Sequence, residues 1–258
     1  MGLRRFAVET AAVADVELRK LLRDPTELAS RAVQPVLWLT VFGQVMARVR
    51  GIHAGPVSYL VFITPGILAQ SVLFSAIFFG IAVIWERDLG VVHKQLVSPA
   101  YRGALVLGKA LSAGFRGLVQ AGVIYLLTWV MKVDVRHDPL AVAAVLGTVV
   151  LGSALFSTFS LIIACVVKTR ERFMGVGQVL TMPLFFASSA IYPLDLMPPW
   201  LRAVARFNPL TYLVDALRGL MVPGEPAFIG WGVDFLVLAA VFALLMALAV
   251  RLYPGLVR

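Results

Sequence analysis

Charge is nearly absent from six long stretches of this chain and crowds into the gaps between them. Residues 139–167 run almost without a charge, and then Lys168, Thr169, Arg170, Glu171 and Arg172 arrive together. A helix crossing a ~30 Å hydrocarbon core needs about 20 apolar residues, because each adds ~1.5 Å. A soluble chain would instead alternate apolar and polar faces. With 60% hydrophobic and 14% charged residues, the chain belongs in a bilayer. The fold class expected is all-α integral membrane, with six transmembrane helices at about 31–49, 58–84, 105–131, 140–166, 173–190 and 230–250.

Several functions are excluded on the same grounds. The gaps are too short for a soluble catalytic domain, which needs on the order of 100 residues. The net charge of +9 suits cytoplasmic loops lying against anionic lipid. No basic stripe is interleaved with aromatics, so membrane lipid is an expected partner and nucleic acid is not. Cys165 is the single cysteine, so a disulfide within the chain and a thiolate metal cluster are both ruled out. His53, His93 and His137 fall in three loops without metal-ligand spacing, so no metal site is expected. There is no GxxxxGK[ST] loop to cradle phosphates, no paired intramembrane carboxylates, and no clustered Asp, His or Ser/Lys set. We therefore expect no catalytic residue, no cofactor bound by the chain itself, and no enzyme activity of its own. The charged first thirty residues, from Arg4 to Glu27, lack the apolar core of a cleavable signal peptide.

Residues 6–23 read as an amphipathic helix, with Phe6, Val13, Val16, Leu18, Leu21 and Leu22 apolar and Arg19, Lys20 and Arg23 basic. Such a helix lies in the membrane interface. Asp24-Pro25 ends it. Six spans put both termini on one side. That side gathers Arg4, Arg5, Lys20, Arg87, Lys94, Lys109, Lys168, Arg172 and Arg251, while the other keeps a smaller set including Arg48, Lys132 and Arg206. The richer side is cytoplasmic by the positive-inside tendency, so both termini are expected inside. Pro65-Gly66 predicts a kink in the second span.

Three segments stand out between the spans. Residues 85–103 hold Glu86, Arg87 and Asp88, then Leu89, Val92 and Leu96 at helical spacing, and close at Pro99. They predict a short cytoplasmic helix over 86–98 with one apolar face, either an ordinary interfacial helix or one that docks in a partner's groove. Residues 191–220 are half apolar yet broken by Pro193, Pro198, Pro199 and Pro209, which fits two short helices dipping into the outer leaflet. The third segment is the N-terminal helix. Arg116 lies inside the third span. Such a residue either faces the bundle interior and marks function or snorkels to the interface.

Three strings carry a family resemblance: LRKLLRDP closing the first helix, ERDLGVVHKQLVSPAYRG, and SSAIYPLDLMPPWLRAVARFNPLTYLVDALRGL before the last span. Together they cover nearly the whole chain, and it resembles the membrane subunit of ABC-2 type exporters, the group of daunorubicin-resistance permeases and polysaccharide exporters. The resemblance implies a permease half that pairs with a second copy or a close paralogue. It also implies two copies of a separate ATPase subunit, which would bind the ATP and Mg. It implies a coupling helix that docks the ATPase (Glu86, Arg87, Asp88, Leu89, His93, Lys94, Leu96) and a connecting helix over residues 1–30 (Glu17, Arg19, Lys20, Arg23). It further implies a re-entrant outer segment (Pro193, Leu194, Pro198, Trp200, Asn208, Pro209, Tyr212, Asp215, Arg218). Its first, second and fifth spans would line a pathway with Phe42, Phe62, Phe74, Phe78, Met182, Phe185 and Phe186, with Arg116 as a further candidate. Val91-Val92-His93-Lys94 departs from the small polar residue usual after Gly90 and makes the docking surface more basic. The implied function is ATP-driven export of an amphipathic drug, lipid or glycolipid across a bacterial inner membrane. The alternative is an ion-coupled transporter or channel without an ATPase, which would place charged pairs inside the spans.

Overall fold

The computed structural model describes residues 2–257 apart from 24, 50–56, 168 and 225–226. The gap between the first two expected spans, with Arg50 and His53, lies outside the described residues at 50–56, as do Asp24, Lys168 and Arg258. All regular structure among the described residues is helical.

Helix α1 (Gly2–Arg23) is followed by α2 (Pro25–Leu37). Pro25 takes the first position of α2, where its missing N–H has no helical partner to lose. A π-helical stretch, Trp38–Gly43, continues α2 into the short α3 (Gln44–Ala47). Pro35 sits just upstream, where it removes a ladder donor. The Thr40 hydroxyl donates to the Val36 carbonyl at 2.7 Å within this irregular region. Helix α4 (Tyr59–Asp88) opens on Ser58, whose Oγ accepts from the Val61 amide at 3.4 Å. It runs through Pro65 unbroken. Next come α5 (Val91–Val97) and α6 (Arg102–Val130), then α7 (Pro139–Val166), capped by Asp138 accepting from the Ala141 amide at 3.1 Å. Helix α8 (Arg170–Phe186) is capped by Thr169. After a 3-10 turn (Leu194–Leu196) follow α9 (Pro199–Phe207), α10 (Pro209–Met221), α11 (Trp231–Leu252) and a last 3-10 turn (Tyr253–Val257).

Four helical segments among the described residues are long and apolar enough to cross a membrane: Tyr59–Asp88, Arg102–Val130, Pro139–Val166 and Trp231–Leu256. They correspond to the second, third, fourth and sixth expected spans. The other two expected spans are shorter helices. The first divides among α2, the π-helical stretch and α3. The fifth is α8, which is 17 residues long and stops at Phe186 rather than 190. The helix expected over 86–98 is also divided. Residues 86–88 are the last turn of α4, and Gly90 turns the chain at φ +72° before α5 begins.

Helices α4 and α7 form the centre, packing against each other and against α6, α10 and α11. Leu68, Leu73, Val149, Leu155, Leu213 and Leu217 fill the core between them, each 1% exposed or less. Helix α10, wedged among α4, α7 and α11, is buried along nearly its whole length. Helix α8 rests on one side of α4 through Phe173, Gly177, Thr181 and Phe185, and Met174, Val179 and Phe186 on its other side are exposed. The crossing of α4 and α7 is tight at Gly80. Its amide donates to Ser160 Oγ at 3.0 Å, and a Cβ there would run into that hydroxyl and the Phe173 ring.

Candidate functional site

The N-terminal helix docks on protein along its full length. Phe6, Thr10, Val13, Glu17 and Leu21 recur every three or four residues, so they share one face. That face lies on α6. The contact is close because Gly108 lacks a Cβ, which would sit 2.6 Å from Val13 and 2.8 Å from the Thr10 carbonyl. The apolar positions of the sequence are thereby sorted: Leu21 is buried, whereas Val16 and Leu22 face outward. The far end of the helix is pinned by charge. Arg5 pairs with Glu9 at 2.7 Å, and Glu9 accepts from the Tyr101 amide at 2.8 Å. The Tyr101 amide is the main cause of a Glu9 carboxyl held below its usual range; desolvation opposes it and Arg5 adds to it.

A four-charge hub forms where α1, α4 and α6 meet. Lys20 Nζ lies 3.0 Å from Glu17 and 2.5 Å from Glu86. Lys109 pairs with Glu86 and lies 3.5 Å from Glu17. Lys109 is 1% exposed, and the side chains of Glu17 and Glu86 are 6% and 13% exposed. Burial alone would push the Lys20 ammonium down, but the Glu86 carboxylate, helped by Glu17, outweighs it and holds Lys20 above the usual lysine range. Two carboxylates and two ammoniums satisfy one another here, which is the condition for burying charge.

Helix α5 lies beside this hub. Val92 is its buried residue, packed with Phe79, Val83, Leu105 and Tyr253. Leu96 packs at the edge of that cluster. Leu89, His93, Lys94 and Val97 are exposed. Asp88 pairs with Arg87 at 2.8 Å and with Arg170, at the start of α8, at 2.9 Å. The Arg170 guanidinium lies 3.6 Å over the Trp85 ring. Of the expected docking residues, then, Leu89, His93 and Lys94 present an open face, while Glu86, Arg87 and Asp88 are engaged within the chain. Of the expected connecting-helix residues, Glu17 and Lys20 join the hub, Arg19 pairs with Asp15 at 2.8 Å, and Arg23 is exposed.

The opposite end of the bundle gathers the proline-punctuated segment. The Asn208 amide donates to the Leu184 and Ala187 carbonyls at 2.6 and 3.0 Å, and its Oδ1 accepts from the Leu210 amide at 3.0 Å. One side chain thus satisfies the orphan carbonyls ending α8 and an orphan donor opening α10. Tyr212 donates to the Arg206 carbonyl at 2.6 Å. Asp215 accepts from the Phe228 and Ile229 amides at 2.9 and 2.7 Å, and Asp234, fully buried, lies beside it. Arg218 donates to the Ser189 carbonyl at 2.7 Å and stacks 4.0 Å over Phe62. Pro193 and Pro198 precede the 3-10 turn and α9, and Leu194, in that turn, offers its carbonyl to Arg202 at 3.1 Å. Trp200 is 69% exposed.

The expected pathway residues fall in three places. Phe74, Phe78 and Met182 line a 250 Å³ cavity between α4 and α8, with Phe173, Gln178 and Thr181. Phe42, Phe185 and Phe186 join an aromatic group around Trp38, which lies 4.7 Å from Phe42 and 5.7 Å from Phe185. Phe62 belongs with Tyr59 and Arg218. Arg116 is 7% exposed with its guanidinium 5.7 Å from the Phe79 ring, which puts it inside the bundle.

Sequence reasoning did not single out Lys109, Arg170, Gln95, Tyr253 or Asp234 as site residues. A signal existed for Lys109: an ammonium among Val106, Gly108, Ala110 and Leu111 asks for a buried counter-charge. Among the described residues no group of three or more His, Cys, Asp or Glu side chains is placed to hold a metal.

The family model described as ABC-2 type transporter matches residues 8–222. The transport permease ycf38 of Cyanophora paradoxa is 30% identical over 207 residues, covering 78% of this chain and 70% of that protein. The daunorubicin resistance ABC transporter permease protein DrrB1 of Streptomyces coeruleorubidus is 26% identical over 89% of this chain and 80% of its own. The inner membrane transport permease YadH of Escherichia coli is 25% identical over 72% and 73%.

Proposed function

Since the chain belongs to the ABC-2 type transporter family, a family of membrane transport permeases, we propose that it is the membrane subunit of an ATP-driven exporter, working with a separate ATPase. In this reading α2 with α3 and α8 complete six spans, both termini are cytoplasmic, and α9 and α10 form the re-entrant outer segment. Two copies of the chain, or one with a paralogue, pair with two ATPase subunits that hold ATP and Mg. The cell membrane, a bacterial inner membrane, is the proposed location.

The observation that carries the proposal is the contrast between the two sides of α5. Its inner side is anchored through Val92, and its outer side offers His93, Lys94 and Val97, with Leu89 exposed just before the Gly90 turn. A short helix with an apolar and basic open face, seated against a charge hub that joins three helices, suits the transmission of a push from a partner. ATP binding closes the ATPases, α5 moves with them, and the ends of α1, α4 and α6 follow through the hub. The work comes from the differential affinity of ATP for the two states. Aromatic and aliphatic side chains around the α4–α8 cavity favour an amphipathic cargo.

The test is co-purification of the tagged chain with its ATPase, followed by ATPase assay of the complex in lipid vesicles. Equal recovery of the two subunits, lost in Leu89→Asp while the permease itself stays folded, is the expected result. A chain that purifies alone under gentle extraction and stimulates no ATPase rules the reading out.

A further inference from the structure

Helix α5 is seven residues long, too short to hold its own shape in water. It follows Gly90, whose φ of +72° makes a turn that other residues rarely adopt. Val92 is its one buried side chain. A pivot and an apolar contact along one side, made by Val92 with the partly buried Leu96, leave a short helix free to roll on that side. A third point removes that freedom. It is supplied from 158 residues away: the Tyr253 hydroxyl donates to Gln95 Oε1 at 2.9 Å. Gln95 lies three residues after Val92, on the same side of the helix.

Tyr253 is itself firmly held. It is 0% exposed and packs with Phe79, Val83, Leu105, Val106 and Leu161. It opens the 3-10 turn that follows α11, and that turn touches both α5 and α7.

We propose that Tyr253 is a positioning residue of the exporter, which sets the angle at which α5 presents His93, Lys94 and Val97 to the ATPase. The inference rests on the exporter reading above. It gives α11 a mechanical part. That helix begins at Trp231, beside α10, and ends at the 3-10 turn that touches α5. Its 22 residues span about 33 Å. A displacement of α5 is therefore felt by α11 through Tyr253. At the other end of α11, Asp234 lies against Asp215 of α10.

Tyr253→Phe keeps the buried ring and removes the hydroxyl, and Gln95→Leu removes the acceptor. Hydrogen–deuterium exchange over residues 91–97 of the permease in vesicles reads the anchoring. ATPase kinetics of the assembled complex read the coupling. Each variant should raise exchange in α5 about five- to tenfold, the ratio that corresponds to one hydrogen bond of ~1 kcal/mol. Exchange in α7 should stay unchanged. The kcat for ATP in the complex should fall several-fold with its KM unchanged, because the nucleotide site is untouched. The double variant should be no worse than either single one. Wild-type exchange in Tyr253→Phe overturns the proposal. So does raised exchange with a wild-type kcat, which would make the tie structural only. If the wild-type chain assembles with no ATPase, the exporter reading fails and with it the coupling role. The exchange experiment on the permease alone then still separates a real α5 anchor from none.

Discussion

The Lys109 ammonium, on α6, donates to the Glu86 carboxylate, on α4, from a position where Lys109 is 1% exposed. The pair joins two helices at the level where α1 crosses them, and Lys20 and Glu17 of α1 close it from the other side. Removing Lys109 leaves the Glu17 and Glu86 carboxylates, 6% and 13% exposed, with only the half-exposed Lys20 to balance them. Lys109→Met should therefore destabilise the protein by about 3–5 kcal/mol. Adding Glu86→Gln should recover part of the loss, since it removes the orphaned carboxylate. Thermal unfolding of the three variants in detergent checks this, and an equal melting temperature for Lys109→Met and the wild type would refute it.

Docking of α1 should have a defined pH window. The Glu9 carboxyl is held below the ordinary glutamate value of 4.5, first by the Tyr101 amide. Its contribution is thus complete above about 4.5 and is lost as the pH falls through the lower, folded value. Lys20 has the opposite sign. Burial opposes its charge, Glu86 more than compensates, and its folded value lies above 10.5. Its contribution is complete below 10.5 and is lost as the pH rises through the higher folded value. A fluorophore on Val8→Cys in a Cys165→Ser background reports the release of α1 as a fall in anisotropy. Glu9→Gln should weaken the acid transition, leaving the part carried by the carboxylates of the hub, and should leave the alkaline one unchanged.

Close approach at Gly108 should make even one methyl group costly. A Cβ there falls 2.6 Å from Val13 and 2.8 Å from a backbone oxygen of α1. The backbone cannot rotate away as a side chain would. Gly108→Ala should cost about 1–3 kcal/mol and detach α1, seen as faster hydrogen exchange in residues 2–23. Gly122, with nothing near its Cβ position, is the control, and its alanine variant should leave α1 exchange unchanged.

At the far end, Asn208 makes three bonds with one amide group. Asn208→Ala should cost about 1–3 kcal/mol for the partners left unpaired. Asn208→Asp should cost more. It keeps the acceptor for the Leu210 amide but aims a carboxylate oxygen at two carbonyl oxygens. Thermal unfolding should rank wild type above alanine and alanine above aspartate; aspartate melting at or above alanine would contradict this geometry.

The four long spans were legible because apolar run length alone decides them. Residues 140–166 needed no partner to be read as α7. The two runs that became shorter helices were not legible, because what limits them lies elsewhere in the chain. The carbonyls at the end of helix α8 are satisfied by the Asn208 amide, which lies beyond the run itself. The run at 31–49 holds Pro35, and its helix widens to a π-helical stretch directly afterwards. The motif string around Asn208, Tyr212, Asp215 and Arg218 was visible as a pattern, yet its bonds were not, since they reach carbonyls and amides that carry no side-chain identity. Glu86 is expected on the docking helix over 86–98, yet it ends α4 and turns into the hub. Its burial comes from Lys20 and Lys109, 66 and 23 residues away.

The hub holds two carboxylates and two ammoniums. A single charge carried across a membrane works against the transmembrane voltage by about 2.3 kcal/mol per 100 mV. Two positive and two negative charges that travel together cancel. The hub therefore ties α1, α4 and α6 together without adding any net charge for that voltage to act on.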